Sequence, residues 1–570
     1  MTRRRLFPAA RVAAVALVAL AGASAFATTA RAAAPDTGTE AQKASGKALY
    51  DKYCLQCHGE KGDGQGPAAL HLRPMPRDFT RGKFKVRTTP NGALPTHQDL
   101  KNIIQRGMPY SSMPAWPQFS DQQLADLAYY LQTFSPDFAN PELVPAQVEL
   151  PPAPKVSKDV ATAGRKLYED SGCLRCHGNQ GRGDGQSAPT LKDDWGHPIK
   201  PADLTERWTW RAGGTREDIL RTISTGFNGT PMPSYFDALT PEQRWQLADY
   251  VSSLSPEAPG YATLITARHL EEPCDLASAD DTFKDVPAAR IPVVGQIMEP
   301  GRSFHPPATA VLVQAVYDAE SILVRVRWND MSAEKTGHNG PALPVPAEEE
   351  KEAPPSGAEA APAEGGDVWG EEAAPAAAAA PAGGDVWGEE TGGDAAAGAV
   401  PASEFSDAVA VQWPLAMPTG ARKPYFIFGD AGNPVDLWFM DLAQGAPRQF
   451  TGKGSADVTP NDTGDLTAMA SYHEGEWTVT FKRPRTPSAP GITFGEGQFV
   501  PVSFSVWDGF TRERGNRRAL TVWYHLYLEP SVKASPVGAM LKTAGGVLLV
   551  EALVIAWVRR RRNPQGTQAA

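Results

Sequence analysis

The pentapeptides Cys54-Leu55-Gln56-Cys57-His58 and Cys173-Leu174-Arg175-Cys176-His177 decide the fold of the first half of this chain. Each places two thiols on one helical turn and an imidazole directly after the second thiol. Both thiols can add to the vinyl groups of one haem, and the adjacent histidine then reaches the iron from the same side. A Cys-x-x-Cys pair could instead form a zinc site or a redox disulfide, but the immediate histidine favours haem attachment. The two motifs predict two covalent haem c groups.

A closed haem iron needs a second axial ligand, and two methionines repeat at the same distance from their histidines. Met113 follows His58 by 55 residues, and Met232 follows His177 by 55 residues. A single methionine more often fills a core than binds a metal, so the prediction rests on the equal interval. The rival candidates have no counterpart at an equal interval in the other copy; they are Met108, His71, His97 and His197.

Further similarities surround these residues. A Gly-Asp-Gly-Gln string occurs at 62–65 and again at 183–186, shifted by what we interpret as a small insertion. A helix-start signal follows each methionine, at 120–123 and at 240–243, and both are compatible with a capping box. Helices are predicted before each cysteine motif and after each capping signal. The two stretches therefore look like copies of one module.

A helix, a Cys-x-x-Cys-His motif, a loop with Met-Pro and a capped C-terminal helix together closely resemble class I cytochrome c domains. The resemblance covers residues 40–136 and 158–256. It implies axial ligand pairs of His58 with Met113 and of His177 with Met232. Because a thioether ligand stabilises ferrous iron, both reduction potentials are expected to exceed those of bis-histidine haems.

The two ends of the chain carry apolar segments. Residues 1–32 have a basic start, an apolar run and a small-x-small end, which is the order of a secretory signal peptide; a permanent membrane helix is the alternative. The segment 537–558 is long enough to cross a bilayer, with a buried terminal helix as the alternative. Four arginines follow at 559–562, so the tail 559–570 is expected in the cytoplasm. The bulk of the chain is then predicted to lie in the periplasm at a bacterial inner membrane.

From 285 to 530 the pattern changes to short segments of alternating polar and apolar residues. Examples lie at 311–317, 322–328, 408–413, 477–481, 502–507 and 520–528. Gly, Asp and Pro separate them, and helical periodicity is nearly absent, which predicts a β-sandwich. The predicted fold class is multidomain: two all-α cytochrome c domains, a mainly-β sandwich domain and a C-terminal transmembrane helix. Linkers are predicted at 137–157 and 257–284.

Residues 341–400 interrupt the β domain and consist mostly of Ala, Pro and Gly. They hold 13 acidic residues and one basic residue, Lys351, so the chain's net charge of −10 is concentrated there. A segment so poor in aliphatic side chains cannot offset its ordering entropy, which predicts a disordered acidic insertion. It contains the octapeptide Gly-Gly-Asp-Val-Trp-Gly-Glu-Glu twice. Its tryptophans, Trp369 and Trp387, are either docking points for a partner or products of duplication.

Three strings in the β domain carry a second resemblance. They are Phe-Ser-Asp-Ala-Val-Ala-Val-Gln-Trp-Pro at 405–414, Gly-Asp-Ala-Gly-Asn-Pro-Val-Asp-Leu-Trp at 429–438 and Val-Trp-Asp-Gly at 506–509. The domain resembles the haem-binding γ subunit of periplasmic molybdenum enzymes, of the ethylbenzene dehydrogenase, dimethyl sulfide dehydrogenase, selenate reductase and nitrite oxidoreductase type. The resemblance implies a non-covalent haem b held between a methionine and a lysine, and electron exchange with an iron–sulfur subunit.

The chain departs from that family at both expected haem b ligands. Phe428 stands where a methionine is expected, and Arg517-Arg518 stand where a lysine is expected. Arginine stays protonated and does not ligate iron as a neutral lysine can. Haem b is therefore an open question. Substitute ligands would be Met440, Lys453 or Lys482, and a haem-free docking domain is the alternative.

These observations leave three functions open. The first is a membrane-anchored dihaem cytochrome, not itself an enzyme, that transfers electrons between a periplasmic molybdenum enzyme with iron–sulfur subunits and soluble or membrane carriers of a respiratory chain. The second is a peroxidase-type haem enzyme, which needs an open axial position, and the third is a docking scaffold. Closed His/Met irons favour the first. Nucleic acid is not expected as a partner, because the chain is acidic and exported. Cys274 lies in a predicted linker near His269; a lone thiol is more often inert than functional, but a free cysteine in an exported chain is worth noting, so its role stays open.

Overall fold

The structure is a computed structural model. It describes residues 35–69, 72, 74–156, 160–346, 403–419, 423–488, 490–532 and 536–562. The predicted signal peptide and nearly all of the predicted acidic insertion lie outside these residues.

The first module contains four helices around a compact apolar core. They are α1 (Glu40–Tyr53), α2 (Leu55–His58), α3 (His97–Arg106) and α4 (Asp121–Gln132), and the short 3-10 helices Pro136–Ala139 and Pro141–Leu143 follow. The three long helices begin at capping boxes formed by Thr39, Thr96 and Ser120. Each cap satisfies N–H groups that have no partner inside the helix, so the sequence itself determines where these helices begin.

The second module repeats this arrangement. Its helices are α5 (Val160–Asp170), α6 (Leu174–His177), α7 (Arg216–Thr225) and α8 (Pro241–Ser253), with 3-10 helices at Ala188–Thr190 and Arg207–Thr209. Capping boxes at Thr215 and Thr240 begin α7 and α8. The capping signal read from residues 240–243 is thus confirmed, as is the one at 120–123.

In each module the first and last long helices cross at a glycine. A Cβ at Gly46 would overlap the carbonyl of Asp126 in α4, and a Cβ at Gly164 would overlap the carbonyl of Gln246 in α8. Without a side chain at the crossing, the two backbones approach closely enough to bury Tyr50 in the first module. The end of α1 is therefore fixed against α4, and the cysteine motif begins there.

Fourteen strands lie in the described residues of the β domain. They are β1 (Ile265–His269), β2 (Ala289–Pro292), β3 (Val294–Gly295), β4 (Ala310–Tyr317), β5 (Ser321–Asn329), β6 (Ala408–Pro414), β7 (Val435–Asp441), β8 (Pro447–Gly452), β9 (Val458–Pro460), β10 (Thr467–His473), β11 (Glu476–Pro484), β12 (Phe499–Trp507), β13 (Ala519–Leu520) and β14 (Tyr524–Leu528). A short helix, α9 (Ala279–Phe283), precedes β2.

The strands form two sheets that share β12. Their order is β10-β11-β5-β4-β1-β14-β12-β6-β7-β8-β9. The first half of β12 pairs with β14 and its second half pairs with β6, so this strand passes from one sheet to the other. All these pairings are antiparallel except those of β1, which lies parallel to both β4 and β14.

The main core of the β domain contains a cluster of aromatic rings. Trp413 and Trp438 lie 5.0 Å apart by ring centroid, and Phe494 packs edge-on against both. A fully buried ion pair lies in the same region, with Nη1 of Arg483 3.1 Å from Oδ2 of Asp436. The Arg483 guanidinium also covers the rings of Trp438 and Phe494, each with its centroid 5.0 Å away.

The structure extends the β domain beyond the sequence prediction. The predicted linker 257–284 contains β1, which lies in the middle of a sheet, and α9. Residues Ile265–His269 alternate in burial, but only Ile265 and Ala267 are apolar, so the strand signal was weak in the sequence. The predicted strand 520–528 is divided into β13 and β14, which pair on opposite sheets. The remaining predicted strands are confirmed, including β4, β5 and β12.

The C-terminal helix α10 (Pro536–Arg562) stands apart from the domains, with its apolar side chains exposed. Met540–Arg562 is long and apolar enough to cross a membrane. Twenty-three residues rise about 35 Å, which exceeds the roughly 30 Å hydrocarbon core of a bilayer. The helix agrees with the predicted span 537–558 and is a candidate anchor.

The buried ion pair is expected to be essential for the β domain. Arg483→Met leaves the Asp436 carboxylate buried without its charge partner, so we expect a loss of roughly 3–5 kcal/mol in unfolding free energy. Denaturant unfolding followed by tryptophan fluorescence measures this loss. The matched control is Arg448→Met, which removes an exposed partner of Asp462 at 3.6 Å and should cost less than about 1 kcal/mol. Equal losses in the two variants would contradict the account.

Candidate haem sites

The two cysteine motifs have the same local geometry. In the first, α1 ends at Tyr53 and the short helix α2 carries Cys57 and His58. The buried hydroxyl of Tyr50 donates to the carbonyl of Gly59 at 2.6 Å, and Tyr168 donates to Gly178 at 2.6 Å in the second module. Each bond ties the end of the long helix to the residue after the histidine. The tyrosine therefore holds the cysteines and the histidine on one turn.

A backbone carbonyl orients each histidine. Nδ1 of His58 lies 3.0 Å from the carbonyl oxygen of Arg77, and Nδ1 of His177 lies 2.9 Å from that of Ala202. Because a carbonyl oxygen only accepts, Nδ1 carries the proton and Nε2 keeps its lone pair. Burial lowers the pKa of both imidazoles, which favours the neutral form that binds a metal. Such an oriented histidine fits an axial haem ligand.

Sequence reasoning missed the two carbonyls, although a signal was present. Both lie in a Pro-x-Asp-x-Thr string, at 76–80 and at 201–205. In each string the threonine hydroxyl donates to the aspartate at 2.6 Å, which closes a tight turn. The strings follow their histidines by different intervals, 19 and 25 residues for the bonded carbonyls. A search for equal intervals could not find them.

The glycine-rich loops after the motifs align differently from the sequence prediction. The N–H of Gly64 donates to the carbonyl of His58 at 3.0 Å, and that of Gly183 donates to the carbonyl of His177 at 2.9 Å. Gly66 and Gly185 donate in the same way to Cys57 and Cys176. Gly183 thus takes the place of Gly64, not of Gly62, and the predicted insertion is wrong. The identical residues 62–65 and 183–186 therefore do not occupy equivalent positions: they are shifted by two residues relative to each other in the two modules.

The loops that carry Met113 and Met232 make equivalent backbone hydrogen bonds. The N–H of Met108 donates to the carbonyl of Met113 at 3.1 Å, and the N–H of Phe227 donates to that of Met232 at 3.1 Å. A glycine with positive φ, Gly107 or Gly226, begins each loop. Met108 therefore corresponds to a phenylalanine, which has no ligand atom. Ligation by Met113 and Met232 stays a prediction that this repeated geometry favours.

The histidine rivals occupy other environments. His97 begins α3, and its ring lies 4.0 Å from that of Tyr129. His197 is exposed, and its N–H donates to Asp193 in a turn of the second module. His71 lies outside the described residues. Neither described rival lies in the loop that carries its module's methionine.

The two methionine loops meet at a buried interface between the modules. Met108, Met113 and Phe227 pack in one cluster with Ile103 and Ala212. Beside this cluster the buried guanidinium of Arg87 donates to the carbonyls of Thr225 and Gly226, at 2.7 and 3.3 Å. The loop of one candidate haem site therefore contacts the loop of the other.

The β domain contacts both modules near these sites. Ser112, next to Met113, is hydrogen-bonded to His305. In the second module, Glu206 accepts from Thr309 at 2.6 Å, and Asp203 accepts from Asn329 at 2.6 Å. Asp203 directly follows the residue whose carbonyl orients His177. The β domain is thus hydrogen-bonded next to the predicted methionine ligand of the first module and next to the histidine-orienting carbonyl of the second.

The expected haem b positions do not fit a haem. The guanidinium carbon of Arg518 lies 3.8 Å from the ring centroid of Phe428, and both side chains are fully buried. Neither group offers a lone pair to iron, and their direct stacking leaves no space between them for a porphyrin. Of the substitutes, Lys482 donates to the carbonyl of Cys274 at 2.5 Å and Met440 is buried in the main core.

Cys274 is buried in a small apolar cluster beside Phe283 and Val316. Burial, together with the neighbouring Asp318 carboxylate, raises the pKa of its thiol to about 12. A thiol that stays protonated is a poor nucleophile and metal ligand. The structure is therefore consistent with an inert role.

Comparison with known families finds three segments of the chain that match family models. Residues 41–131 match the family described as cytochrome c oxidase, cbb3-type, subunit III; residues 161–255 match cytochrome c; and residues 280–459 match ethylbenzene dehydrogenase. Two cytochrome c-type domains with Cys-x-x-Cys-His motifs bind two covalent haem c groups.

Individual relatives match parts of the chain. A putative respiratory nitrate reductase heme subunit of Haloferax mediterranei is 29% identical over 161 residues, which are 28% of this chain and 57% of that protein. The dimethylsulfide dehydrogenase subunit gamma of Rhodovulum sulfidophilum is 21% identical over 20% of this chain and 45% of its own length. A solved structure, the Kuenenia stuttgartiensis reducing HAO-like protein complex, is 41% identical with a TM-score of 0.36, over 37% of this chain and 96% of that chain. The chain thus spans about half the length of these two curated relatives.

Removing either predicted methionine ligand should open an iron. In Met113→Ala and Met232→Ala we expect one carbon monoxide bound per reduced chain, where the wild type binds none, and a lower potential for that haem, because the thioether stabilises ferrous iron. Visible difference spectra and a redox titration measure both. Met108→Ala is the matched control, since it changes the same loop without removing a predicted ligand. If neither variant binds carbon monoxide, the assignment is wrong.

The stacking of Arg518 on Phe428 in the β domain predicts that the chain binds two haems and no haem b. We expect a pyridine haemochrome assay to give two haems per chain, both retained by the polypeptide in acid acetone, because thioether bonds survive this treatment. An extractable third haem would contradict our interpretation of Phe428 and Arg518.

Proposed function

We propose that this chain, which contains two cytochrome c-type domains and one domain of the ethylbenzene dehydrogenase γ type, is an electron-transfer haem subunit of a membrane-bound oxidoreductase complex. Its relatives include a putative respiratory nitrate reductase heme subunit and a dimethylsulfide dehydrogenase subunit gamma. Haem c, when bound, supplies a one-electron iron couple. The cysteines, histidines and orienting carbonyls described above would hold and orient each haem.

The contact between the two methionine loops carries this proposal. Met113 of the first loop and Phe227 of the second are partly buried and pack against one apolar cluster, whose buried members are Val86, Ile103 and Ala212, so the two loops adjoin there. An apolar contact excludes water, and Arg87 fixes its geometry through two carbonyls. Such an arrangement suits exchange of electrons between the two sites better than independent chemistry at each.

We further propose His58 with Met113, and His177 with Met232, as axial ligand pairs, attached through the cysteines of each motif. Two closed irons leave no coordination position for a substrate. This separates the proposal from a peroxidase-type enzyme, which needs one open position. The identical hydrogen bonds of the two methionine loops support closed sites in both modules.

The proposed partners are a periplasmic molybdenum enzyme with iron–sulfur subunits on one side and soluble or membrane carriers on the other. The resemblance of the β domain to γ subunits supports the first. Because Phe428 and Arg518 fill the place of haem b ligands, the β domain would act as a docking platform, and electrons would enter through the haem c modules.

We also propose that α10 anchors the protein in the bacterial inner membrane with the cytochrome modules in the periplasm. The four arginines at 559–562 would remain in the cytoplasm by the positive-inside bias. Periplasmic attachment of haem c and the signal peptide predicted at 1–32 agree with this orientation.

The inter-module contact provides a test. Arg87→Ala leaves two buried carbonyls without their charged donor, so we expect a loss of about 2–3 kcal/mol in unfolding free energy. If electrons pass between the modules here, intramolecular electron exchange after pulsed reduction should also slow severalfold. Lys83→Ala is the matched control, because it removes an exposed ion pair with Asp194 across the same two modules and should cost at most about 1 kcal/mol. If Arg87→Ala is destabilised but its rate of intramolecular electron exchange is unchanged, electrons do not pass between the modules at this contact.

A further inference from the structure

Four carboxylates converge at one buried point of the β domain. Asp330, Glu334, Asp407 and Asp508 each place one oxygen within 4.8 Å of the others. Asp330 follows β5, Asp407 precedes β6, and Asp508 follows β12. The four residues are between 0% and 9% exposed, with Asp407 the most buried and Glu334 the least. Like charges at this depth repel strongly unless a cation or a proton compensates them.

The hydrogen bonds of the cluster leave one carboxylate oxygen without a partner. Asp407 accepts from the N–H groups of Glu334 and Gly509, both at 2.8 Å, and from the indole of Trp477 at 2.9 Å. Glu334 accepts from Ser332 through Oε1 only, and its Oε2 is buried without any hydrogen-bond partner. A buried carboxylate oxygen of this kind normally has a donor or a cation beside it.

The positive charge at the cluster is too small for four carboxylates. Lys200 of the second module approaches, with Nζ 2.8 Å from Oδ2 of Asp508. Burial and the neighbouring carboxylates raise the pKa values of Asp330, Glu334 and Asp407, as expected where negative charge is poorly compensated. One ammonium group leaves most of this charge without a counterpart.

We propose that this cluster binds one calcium ion. The candidate ligand atoms are all carboxylate oxygens, which Ca²⁺ prefers, and the cluster contains no histidine or cysteine to favour zinc. Mg²⁺ usually keeps several waters and takes one or two carboxylates, so four converging carboxylates fit Ca²⁺ better. In the calcium-bound site Lys200 would keep its ion pair with Asp508, and the ion would bind Oε2 of Glu334, which has no hydrogen-bond donor.

The position of the site gives the ion a structural role. Asp330 and Glu334 precede the acidic insertion and Asp407 follows it, so the ion would join the two ends of the chain at the base of the insertion. Through Asp508 and Lys200 the same ion would strengthen the contact between the β domain and the second cytochrome module. This inference is independent of the proposed electron-transfer function.

Calcium binding can be measured on the full chain. After treatment with EDTA and gel filtration, titration calorimetry with CaCl₂ should show one ion bound per chain, and saturating CaCl₂ should raise the melting temperature. Tb³⁺ should replace Ca²⁺ and luminesce on tryptophan excitation, because the Trp477 indole contacts the ligand Asp407. CaCl₂ should suppress that luminescence.

Two variants make the test specific. Glu334→Gln should weaken Ca²⁺ binding by about tenfold or more, because it replaces a charged ligand. In EDTA the same variant should melt above the wild type, since it removes like-charge repulsion, so a folding defect cannot imitate the result. Asp462→Asn is the control: it removes an exposed acid of the same domain, paired with Arg448, and should bind Ca²⁺ as the wild type does.

Two results would overturn the proposal. One is a wild-type chain whose melting temperature and calorimetric signal do not respond to millimolar CaCl₂, which would mean that protons and Lys200 alone compensate the cluster. The other is Ca²⁺ binding that Glu334→Gln leaves unchanged, which would place the ion elsewhere, for example on the acidic insertion.

Discussion

The hydrogen bond between each motif histidine and a backbone carbonyl is the interaction on which the rest of the structure depends. Nδ1 of His58 donates to the carbonyl oxygen of Arg77, and Nδ1 of His177 donates to that of Ala202. Nε2 of each ring therefore keeps the lone pair that can bind iron. The carbonyl loops also make contacts between domains. The Arg77 guanidinium lies 4.3 Å from the ring centroid of Trp195 in the other module, and Asp203, next to Ala202, accepts from the β domain. Orientation of the histidines and assembly of the domains are therefore coupled.

In the β domain, the two expected haem b ligand positions are occupied by Phe428 and Arg518, which pack against each other. At the positions where its relatives are expected to hold haem b, a cation–π contact between Arg518 and Phe428 fills the core. The domain keeps extensive contacts with both cytochrome modules, through Ser112 in one and Glu206 in the other. These contacts fit the proposed role of the β domain as a docking platform.

Much of the candidate site could be predicted from the sequence, because covalent haem attachment imposes a strict local spacing. The cysteine motifs, the capping boxes and the long β strands each carry their signal within a few residues. The carbonyl of Arg77, the stacking of Arg518 on Phe428 and the central strand β1 could not be predicted in this way. Each depends on contacts between residues far apart in the chain. In the glycine loops a local signal was misleading. The identical string suggested that Gly183 corresponds to Gly62, but the hydrogen bonds show that Gly183 corresponds to Gly64.

The central claim is that both irons are closed by a histidine and a methionine and serve electron transfer. Near-infrared magnetic circular dichroism of the oxidised full chain tests it most directly, because the methionine-to-iron charge-transfer band reports this ligation in the intact protein. The account predicts two low-spin haems per chain, both with the methionine band. A high-spin haem, or a low-spin haem with the bis-histidine band, would contradict it.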